Sequence, residues 1–213
     1  MSALVASGLA KSYGDAPALG PLDLTLGAGE RVALLGHNGS GKTTLLRLAA
    51  GLLDASAGTI EVAGHPAGSL EARAATSYLG DHPVFYDDLS LWEHLEYLAR
   101  LHHTVGWEEH ATELIDLLGL ADRTDALPTT FSRGLRQKAA IAIAFVRPFE
   151  VLLVDEPFVG LDSAGREALL ELFRRAHADG ATLLVATHEL TTVAEAGRLV
   201  TLSDGAVASD VPK

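Results

Sequence analysis

The sequence predicts an α/β fold: a core built on a parallel sheet, with an antiparallel β flank and an inserted helical subdomain. Three short apolar runs, each ended by a polar or glycine-rich turn, are typical of buried parallel strands. These runs are Val32–Leu35, Val151–Val154 and Leu183–Ala186. Helix-like stretches follow the first two runs, at Thr43–Ala50 and Ser163–Ala178. Such alternation of strand, loop and helix indicates an α/β core.

Other segments depart from this alternation. Leu4–Leu26 and Gly58–Gly64 contain short strand-like runs with glycine and proline turns, and they predict the antiparallel flank. The stretch from Leu89 to Phe145 has a helical pattern that Gly119 and Pro128 interrupt. We therefore predict one domain over residues 1–213, with a helical subdomain inserted at about residues 82–148.

Length and composition narrow the classes of function. The chain has 213 residues, 48% of them apolar, which is enough for one good core. Its apolar runs fall short of the roughly 18–20 residues needed to cross a bilayer, and Met1–Lys11 lacks the pattern of a secretory signal. We expect any link to a membrane to come through a partner. The absence of cysteine excludes disulfides and thiolate catalysis. A net charge of −12 without a basic patch disfavours nucleic-acid binding.

A phosphate-binding pattern, G-x-x-x-x-G-K-[ST], lies between the first apolar run and the first helix-like stretch. Its residues are Gly36, His37, Asn38, Gly39, Ser40, Gly41, Lys42 and Thr43, and Thr44 follows. The glycines let backbone N–H groups turn toward phosphate oxygens, and the helix start adds the positive end of its dipole. In this pattern Lys42 contacts the β- and γ-phosphates and the Thr43 hydroxyl binds Mg²⁺. We therefore predict a P-loop nucleotide-binding core; the loop alone fits a kinase, a GTPase, a helicase or a transporter motor.

Two adjacent carboxylates, Asp155 and Glu156, end the second apolar run. Side chains alternate along a strand, so the two carboxylates point in different directions. We assign Asp155 to Mg²⁺ and Glu156 to the attacking water, as its general base or positioning group.

Several further segments, in the order of the chain, resemble the motifs of the ABC transporter ATPases. Phe131–Lys138 resembles the signature motif, in which a serine and a glycine open a helix. The other matching segments are Lys11–Gly14, Leu45–Leu53, Gly160–Asp162 and Thr187–Glu189. Together with the phosphate loop and the acidic pair, they cover nearly the whole chain. The sequence is therefore similar to the ATP-binding subunits of ABC transporters, with a signature ending, Leu135–Lys138, that is closer to the exporter type.

The resemblance implies roles that the residues alone do not give. It implies that Tyr13 stacks on adenine, that Asp162 lies at a dimer seam and that His188 contacts the γ-phosphate. It also implies that Ser132, Gly134 and Gln137 contact the ATP held by a second subunit, in a homodimer or a heterodimer. The implied catalytic set is Glu156, His188 and Lys42, with ATP and Mg²⁺ as ligands.

The resemblance also implies a transmembrane permease as partner and a place at the cytoplasmic face of the membrane. The helical insert would supply the docking groove, with Phe85, Tyr86 and Trp92 near its entry, although these aromatics could equally belong to the core. Cargo contacts the permease, so the sequence does not indicate it.

One loop departs from the family pattern. Family members carry a glutamine in the stretch that corresponds to Tyr78–Tyr86, and this chain has none there. A one-residue shift in alignment puts either Asp81 or His82 in its place. A carboxylate suits Mg²⁺ better than imidazole does, so Asp81 is the predicted metal residue. The alternative is a simple connector, with water completing the metal shell.

Two other functions are compatible with the resemblance. One is an ABC subunit that serves signalling or mechanical work through a membrane partner that moves no solute. The other is a soluble ABC-type ATPase of DNA repair or translation. The second is disfavoured, because such proteins usually carry long coiled-coil insertions or two ATPase units. No residue separates the first from a transporter subunit.

Overall fold

The computed structural model describes all 213 residues, which form two compact units. The first unit comprises Met1–Tyr78, Phe149–Glu156 and Ala176–Lys213, and the second comprises Leu79–Pro148 and Pro157–Arg175. The predicted insert at 82–148 falls within the second unit, which also contains 157–175. None of the helices combines the length and the apolar character needed to cross a bilayer.

The chain forms ten strands and seven α-helices. The strands are β1 Ser2–Tyr13, β2 Ala16–Gly27, β3 Arg31–Leu35, β4 Ala57–Val62, β5 His65–Pro66, β6 Thr76–Leu79, β7 Val151–Asp155, β8 Thr182–Ala186, β9 Arg198–Ser203 and β10 Ala206–Pro212. The helices are α1 Lys42–Ala49, α2 Leu70–Ala75, α3 Leu91–Leu101, α4 Trp107–Leu118, α5 Arg133–Phe145, α6 Ser163–Ala178 and α7 Leu190–Glu195. Two short 3₁₀ turns, Ala121–Arg123 and Pro128–Thr130, lie between α4 and α5.

The main sheet has the strand order β10-β9-β3-β8-β7-β6. Strand β3 pairs in parallel with β8 and β9, and β7 pairs in parallel with β8. The three predicted apolar runs form β3, β7 and β8, and every residue of β7 and β8 is buried. Because strands buried on both faces need apolar side chains throughout, they read as continuous apolar runs in the sequence. The predicted α/β class is confirmed.

The antiparallel flank forms a second sheet in the first unit, with the order β2-β1-β4-β5. Its inner side chains, among them Leu4, Leu26 and Val62, are fully buried and share a core with Leu45 and Leu46 of α1. The helix that begins at the phosphate loop is therefore anchored on its apolar face, which fixes the direction of its N-terminus.

Three helices, α3, α4 and α5, pack against one another in the second unit. The rings of Trp92 and Trp107 lie 5.3 Å apart, so Trp92 packs within this unit. Tyr86 is 55% exposed. The two predicted interruptions are structural: Gly119 ends α4 in a left-handed conformation, and Pro128 begins a 3₁₀ turn.

Candidate nucleotide-binding site

The phosphate loop joins β3 to α1, where the sequence places it. Gly36, Gly39 and Gly41 have φ values of 146°, 84° and 104°, which favour glycine and curl the backbone. A Cβ at Gly36 would collide with the carbonyl of Leu202 and lie 2.5 Å from the Ser40 hydroxyl oxygen. Position 36 therefore has no room for a side chain.

Two buried polar side chains make the loop suitable for an anion. Lys42 is 7% exposed, and its Nζ donates to the carbonyl of Gly36 at 2.7 Å, which holds the ammonium group against the loop. Ser40 is 1% exposed, and its Oγ has no hydrogen-bond partner. Buried hydroxyls without a partner are uncommon in proteins. A curled glycine backbone with a cation and an unsatisfied hydroxyl fits the phosphate groups of a nucleotide.

The other residues of the loop lie on its outer side or at the helix start. The exposed ones are His37, Asn38 and Gly39, and the half-buried ones are Thr43 and Thr44 in the first turn of α1. A hydroxyl at Thr43 and a carboxylate at Asp155 are oxygen ligands of the kind that Mg²⁺ prefers.

The β9–β10 hairpin supports the phosphate loop. The N–H of Gly205 donates to the carbonyl of Ser40 at 3.1 Å, and the carbonyl of Gly205 accepts the N–H of Gly20 at 2.8 Å. The turn residues Asp204 and Gly205 both have positive φ, as two-residue hairpin turns require. Sequence reasoning missed this support. An Asp-Gly pair predicts a tight turn, but nothing near it in the sequence indicates what the turn contacts.

The two carboxylates lie where β7 ends. Asp155 is 1% exposed, and the side chain of Glu156 is 29% exposed. Glu156 has a φ of 44°, a left-handed conformation that costs a non-glycine residue about 1–2 kcal/mol. Its N–H donates to the carbonyl of Ala186 at 2.9 Å, which holds it there. Strain of this kind clusters at functional sites.

Three ionisable side chains, Asp155, His188 and Lys42, act on Glu156 at this point. Oε1 of Glu156 lies 3.4 Å from Nε2 of His188. Burial raises the pKa of the Glu156 carboxyl and Asp155 adds to the rise, whereas His188 and Lys42 lower the pKa; the net direction is upward. The structure thus brings together Lys42, Asp155, Glu156 and His188. A carboxylate with a raised pKa is a better proton acceptor, which suits the role predicted for Glu156.

Tyr13 lies at the end of β1 and is 52% exposed. The Nζ of Lys11 lies 5.4 Å from the centroid of its ring, a cation–π contact. The ring has solvent-exposed surface on which a base could stack, and its contact with adenine stays a prediction.

The predicted contacts to a second subunit lie in the second unit. Ser132 is exposed, and its Oγ accepts the N–H of Leu135 at 3.3 Å, so that it caps α5. A Cβ at Gly134 would lie 2.6 Å from the carbonyl of Gly160, so a close approach of two backbones explains this glycine.

Gln137 and Asp162 both have partners within the second unit. Gln137 is 5% exposed, and its Nε2 donates to the carbonyl of Pro157 at 3.0 Å. Gln137 thus packs against this carbonyl, and its contact with the ATP of a second subunit stays a prediction. Oδ1 of Asp162 accepts the N–H of Gly165 at 2.9 Å, and this bond and Lys138 lower the pKa of its carboxyl. Asp162 thus caps the start of α6, and its place at a dimer seam, beside a bound nucleotide, stays a prediction.

The loop that lacks a glutamine carries two neighbouring polar side chains. Oδ2 of Asp81 lies 3.6 Å from Nε2 of His82, and the two side chains are 31% and 81% exposed. The less exposed Asp81 remains the predicted metal residue.

The comparison with known proteins agrees with this site. The sequence profile of the family described as ABC transporter matches residues 19–159. YdbJ of Bacillus subtilis, an uncharacterized ABC transporter ATP-binding protein, is 34% identical over 96% of this chain and 67% of its own length. The macrolide export ATP-binding/permease protein MacB of Rhodopseudomonas palustris is 33% identical over 98% of this chain, which spans only 34% of MacB. The aliphatic sulfonates import ATP-binding protein SsuB of Pseudomonas putida is 36% identical over 98% of this chain and 76% of its own length.

Solved structures agree as well. The structure of an ATP-binding subunit of an ABC transporter superposes with a TM-score of 0.91 at 30% identity, over 98% of this chain and 89% of that one. A dimeric post-hydrolysis ATP-binding cassette bound to ADP and Pi superposes with a TM-score of 0.89 at 25% identity, over 98% of both chains. The profile covers more than half of the sequence, including the phosphate loop and both carboxylates. The chain therefore belongs to the ABC transporter family, as an ATP-binding protein.

Proposed function

We propose that this chain is the ATP-hydrolysing subunit of a transporter and drives a separate permease at the cytoplasmic face of the membrane. The contact of Glu156 with His188, beside the curled phosphate loop and its buried Lys42, carries the proposal. A nucleotide-binding site without hydrolysis would need no strained and partly buried carboxylate of raised pKa at this place.

The mechanism follows from charge compensation. The loop N–H groups and the ammonium of Lys42 bind the phosphates, and Thr43 and Asp155 would hold Mg²⁺, which supplies positive charge to the phosphate oxygens. Glu156 orients a water molecule and accepts its proton as the water oxygen bonds to the γ-phosphorus. The bond from that phosphorus to the ADP oxygen breaks, giving ADP and phosphate. His188 lies 3.4 Å from Glu156 and would contact the γ-phosphate.

We assign the exposed start of α5, Ser132 and Gly134, to the ATP of a second subunit. A helix start with free N–H groups binds anions, and the phosphate loop of the same chain already uses its own helix start. Each site would therefore be completed by the other subunit, in a homodimer or a heterodimer.

Mixing two inactive variants tests the shared site. Glu156→Gln damages the phosphate-loop side and Ser132→Arg the capping side, so each homodimer should be inactive. A mixed dimer has one intact site, so an equimolar mixture should regain roughly a quarter of the wild-type ATPase rate. Mixing a variant with itself is the control. No regain, or a rate per subunit that stays constant on dilution, would show that sites are not shared.

The direction of transport is the finer part of the proposal. The signature ending Leu135–Lys138 resembles the exporter type, and MacB, a macrolide export protein by name, aligns over 98% of this chain. SsuB, an import protein by name, aligns equally well. The alignments therefore do not favour either direction, and the proposal of export rests on the signature ending.

Vesicles test the direction. The chain should co-purify with a membrane protein encoded beside it, and inside-out vesicles that contain both should accumulate some members of a panel of fluorescent solutes when ATP is added outside. ATP-dependent loss of preloaded solute would contradict export. ATPase activity in the complex without solute movement would favour the signalling or mechanical alternative.

A further inference from the structure

The segment after His188 contributes little to its own position. Helix α7 begins two residues later and has six residues, and its N-cap, Glu189, makes no side-chain capping bond. A helix of this length is not stable by itself in water. On its other side His188 follows the buried Thr187, whose Oγ1 accepts the N–H of Glu189 at 2.9 Å. The position of His188 therefore depends on this turn and on the contacts that hold α7.

Two cations hold the carboxyl end of α7. Nη2 of Arg31 lies 2.8 Å from Oε2 of Glu195, the last residue of the helix. The Nζ of Lys213 donates to the carbonyls of Val193 and Ala194 at 3.0 and 2.6 Å. Cations at this end of a helix interact favourably with its last carbonyls. The side chains of Arg31 and Glu195 are 8% and 28% exposed and Lys213 is exposed, so solvent screens the Arg31–Glu195 pair less than the contact of Lys213.

Arg31 also belongs to the framework of the catalytic site. It is the first residue of β3, the strand that leads into the phosphate loop. It pairs with Leu183 near the start of β8, the strand that ends just before Thr187 and His188. Its carbonyl accepts the N–H of Gly197, just after α7, at 2.9 Å. One residue thus connects two of the three strands that precede catalytic groups, β3 and β8, to the helix that follows His188.

Loss of the ion pair would leave the charge of Arg31 uncompensated and α7 free to move. Neither Nε nor Nη2 of the buried Arg31 makes a well-aligned hydrogen bond, so the 2.8 Å ion pair with Glu195 is what compensates the guanidinium charge. Without Glu195 that charge would stay buried and uncompensated. A pocket of about 330 Å³, lined in part by Arg31, His177 and Glu195, lies beside the pair. Water could enter there, and the helix could shift into the space.

We propose that Arg31 and Glu195 are positioning residues for ATP hydrolysis: their ion pair holds α7 so that His188 stays within reach of Glu156. Neither side chain touches the reacting atoms, and both act through His188. The inference depends on the proposed ATPase function.

A double-mutant cycle tests the inference. Glu195→Gln keeps the size of the side chain and removes its charge, and we expect kcat to fall roughly tenfold while KM for ATP and the affinity for ATP change less than about twofold. In a His188→Ala background the same change should lower kcat no further, because its effect passes through His188. Lys213→Gln, which alters only an exposed contact, should give the same pattern with a smaller fall in kcat.

Controls separate this role from a general loss of structure. Glu96→Gln breaks an exposed ion pair with Arg100 of 2.7 Å and should leave kcat and KM unchanged. Thermal unfolding identifies variants that fail to fold. If Glu195→Gln is among them, the kcat of Lys213→Gln decides the question. An equal fall in kcat in both backgrounds, a parallel loss of ATP affinity or an unchanged kcat would each overturn the inference. A wild-type chain without ATPase activity would instead overturn the proposed function.

Discussion

Replacing Glu156 with glutamine is expected to slow ATP hydrolysis by roughly 10²–10⁴-fold, the usual contribution of a positioned acid–base group, and to leave ATP binding intact. The amide keeps the size of the side chain but cannot accept a proton from water. Single-turnover hydrolysis and equilibrium binding of ATP measure the two effects separately. Glu167→Gln, on the exposed face of α6, is the matched control and should hydrolyse ATP at the normal rate.

The pH dependence of the wild-type chain gives a second check on Glu156. The group works as a carboxylate, and burial raises the pKa of its carboxyl. As the pH falls, the rate of ATP hydrolysis should therefore begin to decline at a pH above the ordinary pKa of an exposed glutamate. The glutamine variant should lack this decline. A near-normal rate in the variant would contradict the assignment.

Gly36→Ala is expected to weaken ATP binding severely, while Gly39→Ala weakens it only modestly. Both glycines have positive φ, 146° at Gly36 and 84° at Gly39, so each substitution carries backbone strain of about 1–3 kcal/mol. A Cβ at Gly36 would also collide with the Leu202 carbonyl and the Ser40 hydroxyl, whereas a Cβ at Gly39 meets nothing within 4 Å. With overpacking of about 1–3 kcal/mol added, the affinity of the Gly36 variant should fall roughly 100-fold or more.

Titration with a fluorescent ATP analogue measures both affinities, and circular dichroism confirms that each variant folds. Equal losses of affinity at the two positions would show that strain alone, and not the collision with the β9–β10 hairpin, governs the loop.

Local features of the chain were predictable from the sequence. Strands β3, β7 and β8 are buried on both faces, so their sequences had to be apolar runs, and the confirmed α/β class follows from them. The phosphate loop was predictable because its glycines supply the positive φ values that the curled backbone needs, and all of them lie within eight residues. The sequence also indicated that Asp155 and Glu156 end a strand.

Contacts between distant segments were not predictable in this way. Periodicity shows which face of an element is buried, but not which residue it meets. The hydrogen bond from Gly205 to Ser40 and the ion pair of Arg31 with Glu195 each join residues far apart in the chain. A motif likewise identifies residue types without their partners, and nothing in the signature segment indicated that Gln137 donates to the carbonyl of Pro157.

The left-handed backbone of Glu156 has a consequence for engineering. Glycine or asparagine adopts this conformation more easily, so replacing Glu156 with either would relieve about 1 kcal/mol of strain and make the fold more heat-resistant. A selection that rewards survival at high temperature alone would therefore favour proteins that bind ATP and no longer turn it over. Anyone improving the robustness of this chain should keep position 156 fixed and accept the instability it brings.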